Sequence, residues 1–426
     1  MKVADINKDH LRLSGFAAKI GPILAVVGVL FLALSAALGS GEWTAFWKSY
    51  LFGWMVAVGI ALGAMFFVLL QHMTRSGWSI TVRRLAEAMA KNLKWMWMLF
   101  VPILVLVLKG SGDLLYQWGD TELMEHDHML HAKATYLSSG FWSIRAVAYL
   151  LIWAVIATLY FRWSTAQDRD GDVKWTHKMQ KWAPLCMILY ALSQSYASID
   201  WIMTLQPKWF STMFAVYFFS ATMAGFFAMM ILLARFLQKT GHVQQSITTE
   251  HYHDLGKWLF GLGVVFWAYI GFSQYMLIWY ANLPVETGWY ITRQLGGWVP
   301  ISLLLLFGHF LFPFLLLITR WTKRWRCTLP AIAVWMVLMF FVDIYWLVFP
   351  VIPETAMSEA SSYNQLVEMV SSGAVSVGYG FTLVNFTCLI GMFALFCGGT
   401  MINLRSCNLV ASSDPRLDEA LHFENA

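Results

Sequence analysis

The sequence predicts an all-α integral membrane protein of about ten transmembrane helices, built as two pseudo-repeated four-helix bundles plus flanking helices. Three observations predict it. Of 426 residues, 59% are hydrophobic and only 12% charged, with mean hydropathy +0.59, whereas a soluble domain carries about 25% charged residues. Apolar windows near the roughly 20-residue bilayer length recur along the chain. Finally, short polar signatures repeat at matched helix positions.

The windows fall at about 20–38, 50–70, 95–112, 142–161, 183–204, 213–237, 255–280, 297–319, 327–349 and 377–401. Lipid offers no partner for backbone polar groups, and alternating strand patterns are absent, so each window reads as a helix. The first run, Ile20 to Leu38, follows Lys2, Lys8, Arg12 and Lys19 as a secretory leader would. Its length favours an uncleaved span.

Loop charge gives the orientation. Arg75, Arg83, Arg84, Lys91 and Lys94, then Arg162, Arg169, Lys174, Lys178 and Lys181, collect on one side. Arg235, Lys239, Lys257, Arg320, Lys323, Arg324 and Arg326 join them, and with both termini that side holds 23 of the 29 Lys and Arg. The positive-inside rule then makes both termini cytoplasmic. The opposite side has an acidic loop, DTELMEHDHMLHAK (120–133), and a loop without Lys or Arg at 350–376.

Gln71 and Ser79-Ile80-Thr81 recur 167 residues later as Gln238 and Ser246-Ile247-Thr248, and the Asp200-to-Pro207 step recurs as Asp343 to Pro350. Spans two to five and six to nine therefore read as two bundles related by an axis along the membrane normal. The predicted organisation is a cytoplasmic segment 1–19, a transmembrane domain 20–404 (repeat one about 50–204, repeat two about 213–349) and a cytoplasmic tail 405–426.

A net charge of +5 is explained by orientation and points to no nucleic acid. Cys186, Cys327, Cys388, Cys397 and Cys407 form no C-x-x-C pair, so neither an iron-sulfur cluster nor a c-type haem is encoded. Cysteines in apolar runs read as small buried hydrophobes. His126, His128 and His131 cluster in the acidic loop, but without a placed carboxylate or cysteine the spacing does not specify a metal.

The chemistry-bearing candidates are intramembrane polar groups, each costly unless used or paired. Ser193, Tyr196, Asp200 and Thr204 form one helical stripe. Asp343 occupies the matching depth on span nine, beside Tyr345 and Trp346. Two readings stand for these carboxylates, a hydrogen-bonding lock between helices or a proton carrier. Lys109 and Asp113 (i, i+4) and Arg145 lie near the same level; Arg145 is the better permanent countercharge, because it keeps its proton. Ser273, Gln274 and Tyr275 come from span seven. His309 stands alone in LLLLFGHFLFPFLLL, where Pro313 frees its carbonyl and predicts a kink; it reads as a core histidine or a proton relay. A second histidine at its depth is missing, which argues against bis-imidazole haem. SITVRRLAEAMAKNLK (79–94) reads as an amphipathic helix at the cytoplasmic headgroups, and Trp43, Trp47, Trp95, Trp201 and Trp298 as interface anchors.

With ten spans, duplicated bundles and no metal motif, the chain resembles the NrfD-like family, the membrane subunits of polysulfide reductase and its relatives. YASIDWIMTLQPKWFSTMFAVYFFSA (196–221) and FWAYIGFSQYMLIWYANLP (266–284) carry the resemblance, which extends from Leu51 to Leu404. It implies a non-redox subunit of a quinol:cytochrome c oxidoreductase in a bacterial inner membrane respiratory chain. The implied partners are an iron-sulfur protein, c-type cytochromes and a sister NrfD-like subunit, with haem c, iron-sulfur clusters and menaquinol or another quinol held there. The resemblance carries over to Asp200 in SIDW and Gln274 in GFSQY as proton-path positions; Asp343, His309, Tyr196, Lys109, Asp113 and Arg145 rest on the physical argument. The resemblance implies that quinol oxidation occurs mainly in the larger sister subunit, and the lack of an evident His-Asp pair for quinol deprotonation weakens a quinol-site reading here. A purely structural scaffold and a secondary transporter are the competing readings.

Overall fold

The computed structural model describes residues 6, 8–360, 362–378 and 380–425; Lys2 of the N-terminal basic group lies outside them. Among the described residues the secondary structure is helical, without strands. Nine stretches of the described residues are long and apolar enough to cross a membrane, which makes this a multi-pass membrane protein. The helices that matter below are α1 (Gly15–Leu38), α2 (Trp43–Met73), α3 (Ile80–Ala90), α4 (Leu93–Leu108), α5 (Ser139–Asp170), α6 (Lys174–Trp201) and α7 (Phe214–Lys239). They continue as α8 (Thr249–Ala281), α9 (Pro284–Thr292), α10 (Trp298–Leu317), α11 (Thr328–Val348), α12 (Leu383–Arg405) and α13 (Leu417–Leu421).

The fifth apolar window of the sequence is α6, a helix of 28 residues. It is about 42 Å long, yet it falls outside the nine because Ser193, Gln194, Ser195, Ser198 and Asp200 dilute its apolar half. Those groups are tolerated because the helix is packed between α2, α5 and α7.

Packing follows side-chain size. Helices α2, α4, α5 and α6 close one four-membered ring, α7, α8, α10 and α11 close another, and α2 packs on α7 between them. Burial agrees with that centre: 89% of the apolar window of α2 is buried, against 17% for α1. A helix apolar all round that faces protein is core, and one that faces outward in a membrane is met by lipid. Helix α1 lies along α12 at very short range. A Cβ on Gly28 would stand 2.6 Å from Leu395 and 2.8 Å from the Gly391 carbonyl oxygen, so only glycine permits this backbone approach.

Two stretches depart from α geometry. Leu259–Phe266 in α8 and Leu305–Leu311 in α10 are π-helical. The kink expected from Pro313 takes this form: the π turn precedes the proline and absorbs the missing amide donor. The two π segments face one another, and a Cβ on Gly263 would stand 2.8 Å from the Ala224 backbone.

Helix α3 corrects the sequence reading. It is an interior element with all eleven residues buried, packed among α2, α5, α12 and α13, and not a helix on the headgroups. Its arginines find internal acids, described below, so the polar face needs no water. The segment 405–425 is likewise docked: Leu409, Val410, Leu417 and Leu421 are buried. Trp201 and Trp298 are also interior; Trp201 packs edge-on to Trp54 and Trp153, with centroids at 5.0 and 5.5 Å. Trp43 is exposed, as an interface anchor would be.

Candidate functional site

The sequence-derived polar groups separate into three environments. The first surrounds Asp200, fully buried one residue before the end of α6. Its Oδ2 accepts from Arg145 Nε at 2.8 Å and Tyr149 OH at 2.9 Å. Its Oδ1 accepts from Tyr136 OH at 2.9 Å and Arg145 Nη2 at 3.0 Å. The guanidinium stacks 3.8 Å from the Tyr136 ring centroid and donates through Nη1 to the Tyr136 carbonyl. Four donors, two from a planar cation in fork geometry, saturate a carboxylate. This closed salt bridge ties α6 to α5 and to the short helix Ala134–Leu137.

The second environment surrounds Asp343, fully buried on α11. Its Oδ1 accepts from Tyr217 OH at 2.6 Å and its Oδ2 from Trp267 Nε1 at 2.8 Å. No cation pairs with it among the described residues. The Trp267 indole lies flat on His309, centroids 4.0 Å apart and planes 2° from parallel. His309 Nε2 stands 3.3 Å from the Gly263 carbonyl oxygen; an oxygen that can only accept fixes Nε2 as the protonated nitrogen. Nδ1 finds no partner among the described residues. Asp343 and His309 are thus joined through one indole, a pairing that the sequence did not make evident. Tyr217 and Trp267 also line a cleft of about 1000 Å³ between α8 and α10.

The third environment lies at the opposite, basic end of the first ring. Arg84 pairs with Glu87 (3.1 Å) and Asp168 (2.8 Å), and Arg83 with Glu87 (3.3 Å) and Asp414 (2.6 Å). All of these side chains are nine-tenths buried or more. Around them Gln71 Oε1, His72 Nε2, Ser79 Oγ, Thr81 Oγ1 and Ser164 Oγ are buried with no hydrogen-bond partner among the described residues. Native interiors leave few polar atoms unpaired, and where several gather the missing partners are ordered water.

The remaining candidates stay apart. Tyr196, at the edge of the Ser193–Thr204 stripe, is 49% exposed, while Ser193, Asp200 and Thr204 are buried. Lys109 and Asp113 do not share a helix face, because α4 ends at Leu108 and Asp113 sits in a 3₁₀ turn; both are exposed. Gln274 is buried on α8. Among the described residues no three His, Cys, Asp or Glu side chains converge as metal ligands.

Tyr136, Tyr149, Tyr217 and Trp267 were missed by sequence reasoning, since aromatic residues count as apolar in a hydropathy window. Two signals pointed to them: Tyr149 lies four residues after Arg145, and Tyr217 lies 167 after Tyr50, the same offset as the Gln-Ser-Ile-Thr echo. A scan of the chain against protein-family models and a search of curated proteins both return no match.

Proposed function

We propose that this chain is a non-redox membrane component of a bacterial quinol:cytochrome c oxidoreductase, of the NrfD-like kind and similar to the smaller of the two NrfD-like proteins of alternative complex III, and that it conducts protons. The observation that carries the proton-handling part is the basic-end cluster of buried, partnerless polar atoms around Arg84, Glu87 and Asp168. A scaffold gains nothing from such atoms, each of which costs about 1–3 kcal/mol if left dry. A hydrated file of titratable groups uses them. The respiratory part rests on the strings at 196–221 and 266–284.

Two closed four-helix rings and the 167-residue echo favour a pseudo-repeat of α2–α6 and α7–α11, with both termini cytoplasmic in a bacterial inner membrane. Within it the two buried carboxylates divide labour. Asp200, saturated by Arg145 and two tyrosines, locks helices. Asp343, held by two neutral donors, exchanges protons. Tyr217 passes its hydroxyl proton to Asp343 Oδ1 as its oxygen takes a proton from the cleft side, and the carboxyl later releases one. Quinol oxidation, haem c and iron-sulfur clusters belong to partner subunits.

The purely structural reading applies to Asp200, for which the saturated ion pair is the favouring observation. Co-purification in mild detergent tests the assignment. Haem c and iron-sulfur proteins should travel with the chain; its isolation alone, with solute uptake in liposomes, contradicts the respiratory reading in favour of a transporter.

A further inference from the structure

The cleft between α8 and α10 contains an unexplained cation. Arg293, in the connection between α9 and α10, is 1% exposed and lines the cleft. Its Nε, Nη1 and Nη2 donate to the carbonyls of Trp346 (3.2 Å), Trp289 (2.8 Å) and Leu347 (3.2 Å). The guanidinium stacks 3.4 Å from the Trp289 ring centroid. No carboxylate pairs with it among the described residues. Three of five N–H donors are thereby used and two remain. Burial pulls the Arg293 pKa well below the ordinary guanidinium range. Arginine nonetheless keeps its proton, so the burial cost becomes a demand for an anion.

The cleft's shape and lining say which anion. Along α10 the lining runs from Val299 to Phe314, a rise of roughly 22 Å along the helix axis. Polar groups gather at the Arg293 end, with Gln294, Ser302 and Tyr363, and the far end is apolar, with Phe310 and Phe314. The mouth is flanked by exposed Phe272, Leu303 and Leu306, so access is from the hydrocarbon. We propose that the cleft seats an anionic phospholipid, its phosphate accepting the two free N–H groups of Arg293 and an acyl chain running down α10 to Phe314. A neutral amphiphile would fill the volume but leave the charge uncompensated. The same cleft is lined by Tyr217, but the inference rests on the geometry of Arg293, and its test reads lipid binding rather than proton release.

The test is native mass spectrometry of the full chain, with its co-purifying proteins, after delipidation and titration with phosphatidylglycerol or the phosphate-free diacylglycerol of identical chains. Phosphatidylglycerol should bind one per chain with roughly tenfold preference or more, the scale of one charge-assisted hydrogen bond. Arg293→Gln should abolish the preference and Arg293→Lys keep most of it. Should Arg293→Gln not fold, Leu306→Trp at the mouth should lower phosphatidylglycerol occupancy severalfold at an unchanged melting temperature. Equal binding of the two lipids, a preference that survives Arg293→Gln, occupancy untouched by Leu306→Trp, or an isoprenoid quinone as the tightly held molecule would each overturn the proposal.

Discussion

Asp200 and Arg145 meet through two hydrogen bonds, Nε at 2.8 Å and Nη2 at 3.0 Å, with the carboxylate fully buried. Breaking a buried pair by removing one partner strands the other charge, at a cost of about 3–5 kcal/mol. Arg145→Met should therefore lower the melting temperature and assembly yield sharply. The double variant Arg145→Met with Asp200→Asn should recover part of that loss, because no bare charge is left. A double variant no better than the single one removes the ion pair from the account.

Hydration of the basic-end cluster predicts the sign of a conservative change. Thr81 is fully buried and its hydroxyl has no partner among the described residues. If water fills the site, Thr81→Val removes a made hydrogen bond and lowers stability by about 1 kcal/mol. In a dry site the same change removes an unpaired hydroxyl and raises stability. Chemical or thermal denaturation in detergent distinguishes the two.

His242 predicts a pH response outside the membrane. Its Nε2 accepts from the Ser14 backbone N–H at 3.1 Å, just before α1, so the ring is neutral there. Burial, and secondarily His10, hold its pKa below the usual imidazole value. Below the unfolded pKa the unfolded chain binds more protons, so this contribution to stability is complete at higher pH and declines as pH falls through about 6.5. Hydrogen exchange over residues 8–16 should quicken as pH drops from 7.5 to 5.5, after correction for intrinsic rates. His242→Gln should flatten that dependence.

The α1–α12 contact predicts a local lesion. Gly28→Leu drives a side chain into Leu395 and the Gly391 carbonyl. Overpacking of this kind costs about 1–3 kcal/mol. Protease access to the segment around Ser14 should rise.

The helices were legible because the hydrocarbon forces a length on them. The window 213–237 becomes Phe214–Lys239 and 327–349 becomes Thr328–Val348. Helices α5 and α6 extend past their windows at the basic end, where Arg162 to Asp170 and Lys174 to Lys181 leave the apolar layer. Helix α3 was misread because its arginines are neutralised by acids distant in sequence, Asp168 and Asp414, which periodicity cannot show. For the same reason the partners of Asp343 were invisible: Tyr217 and Trp267 come from two other helices. Arg145 was nominated as a countercharge from its chemistry, and the structure places it on Asp200.

The most direct test concerns Asp343. In the purified complex reconstituted in proteoliposomes, Asp343→Asn should assemble and melt near the wild type, since an amide oxygen still accepts one of the two donors. Protons released per electron, or turnover, should fall, because an amide cannot take the proton from Tyr217. Unchanged proton release and turnover in a correctly assembled Asp343→Asn complex would contradict the central claim.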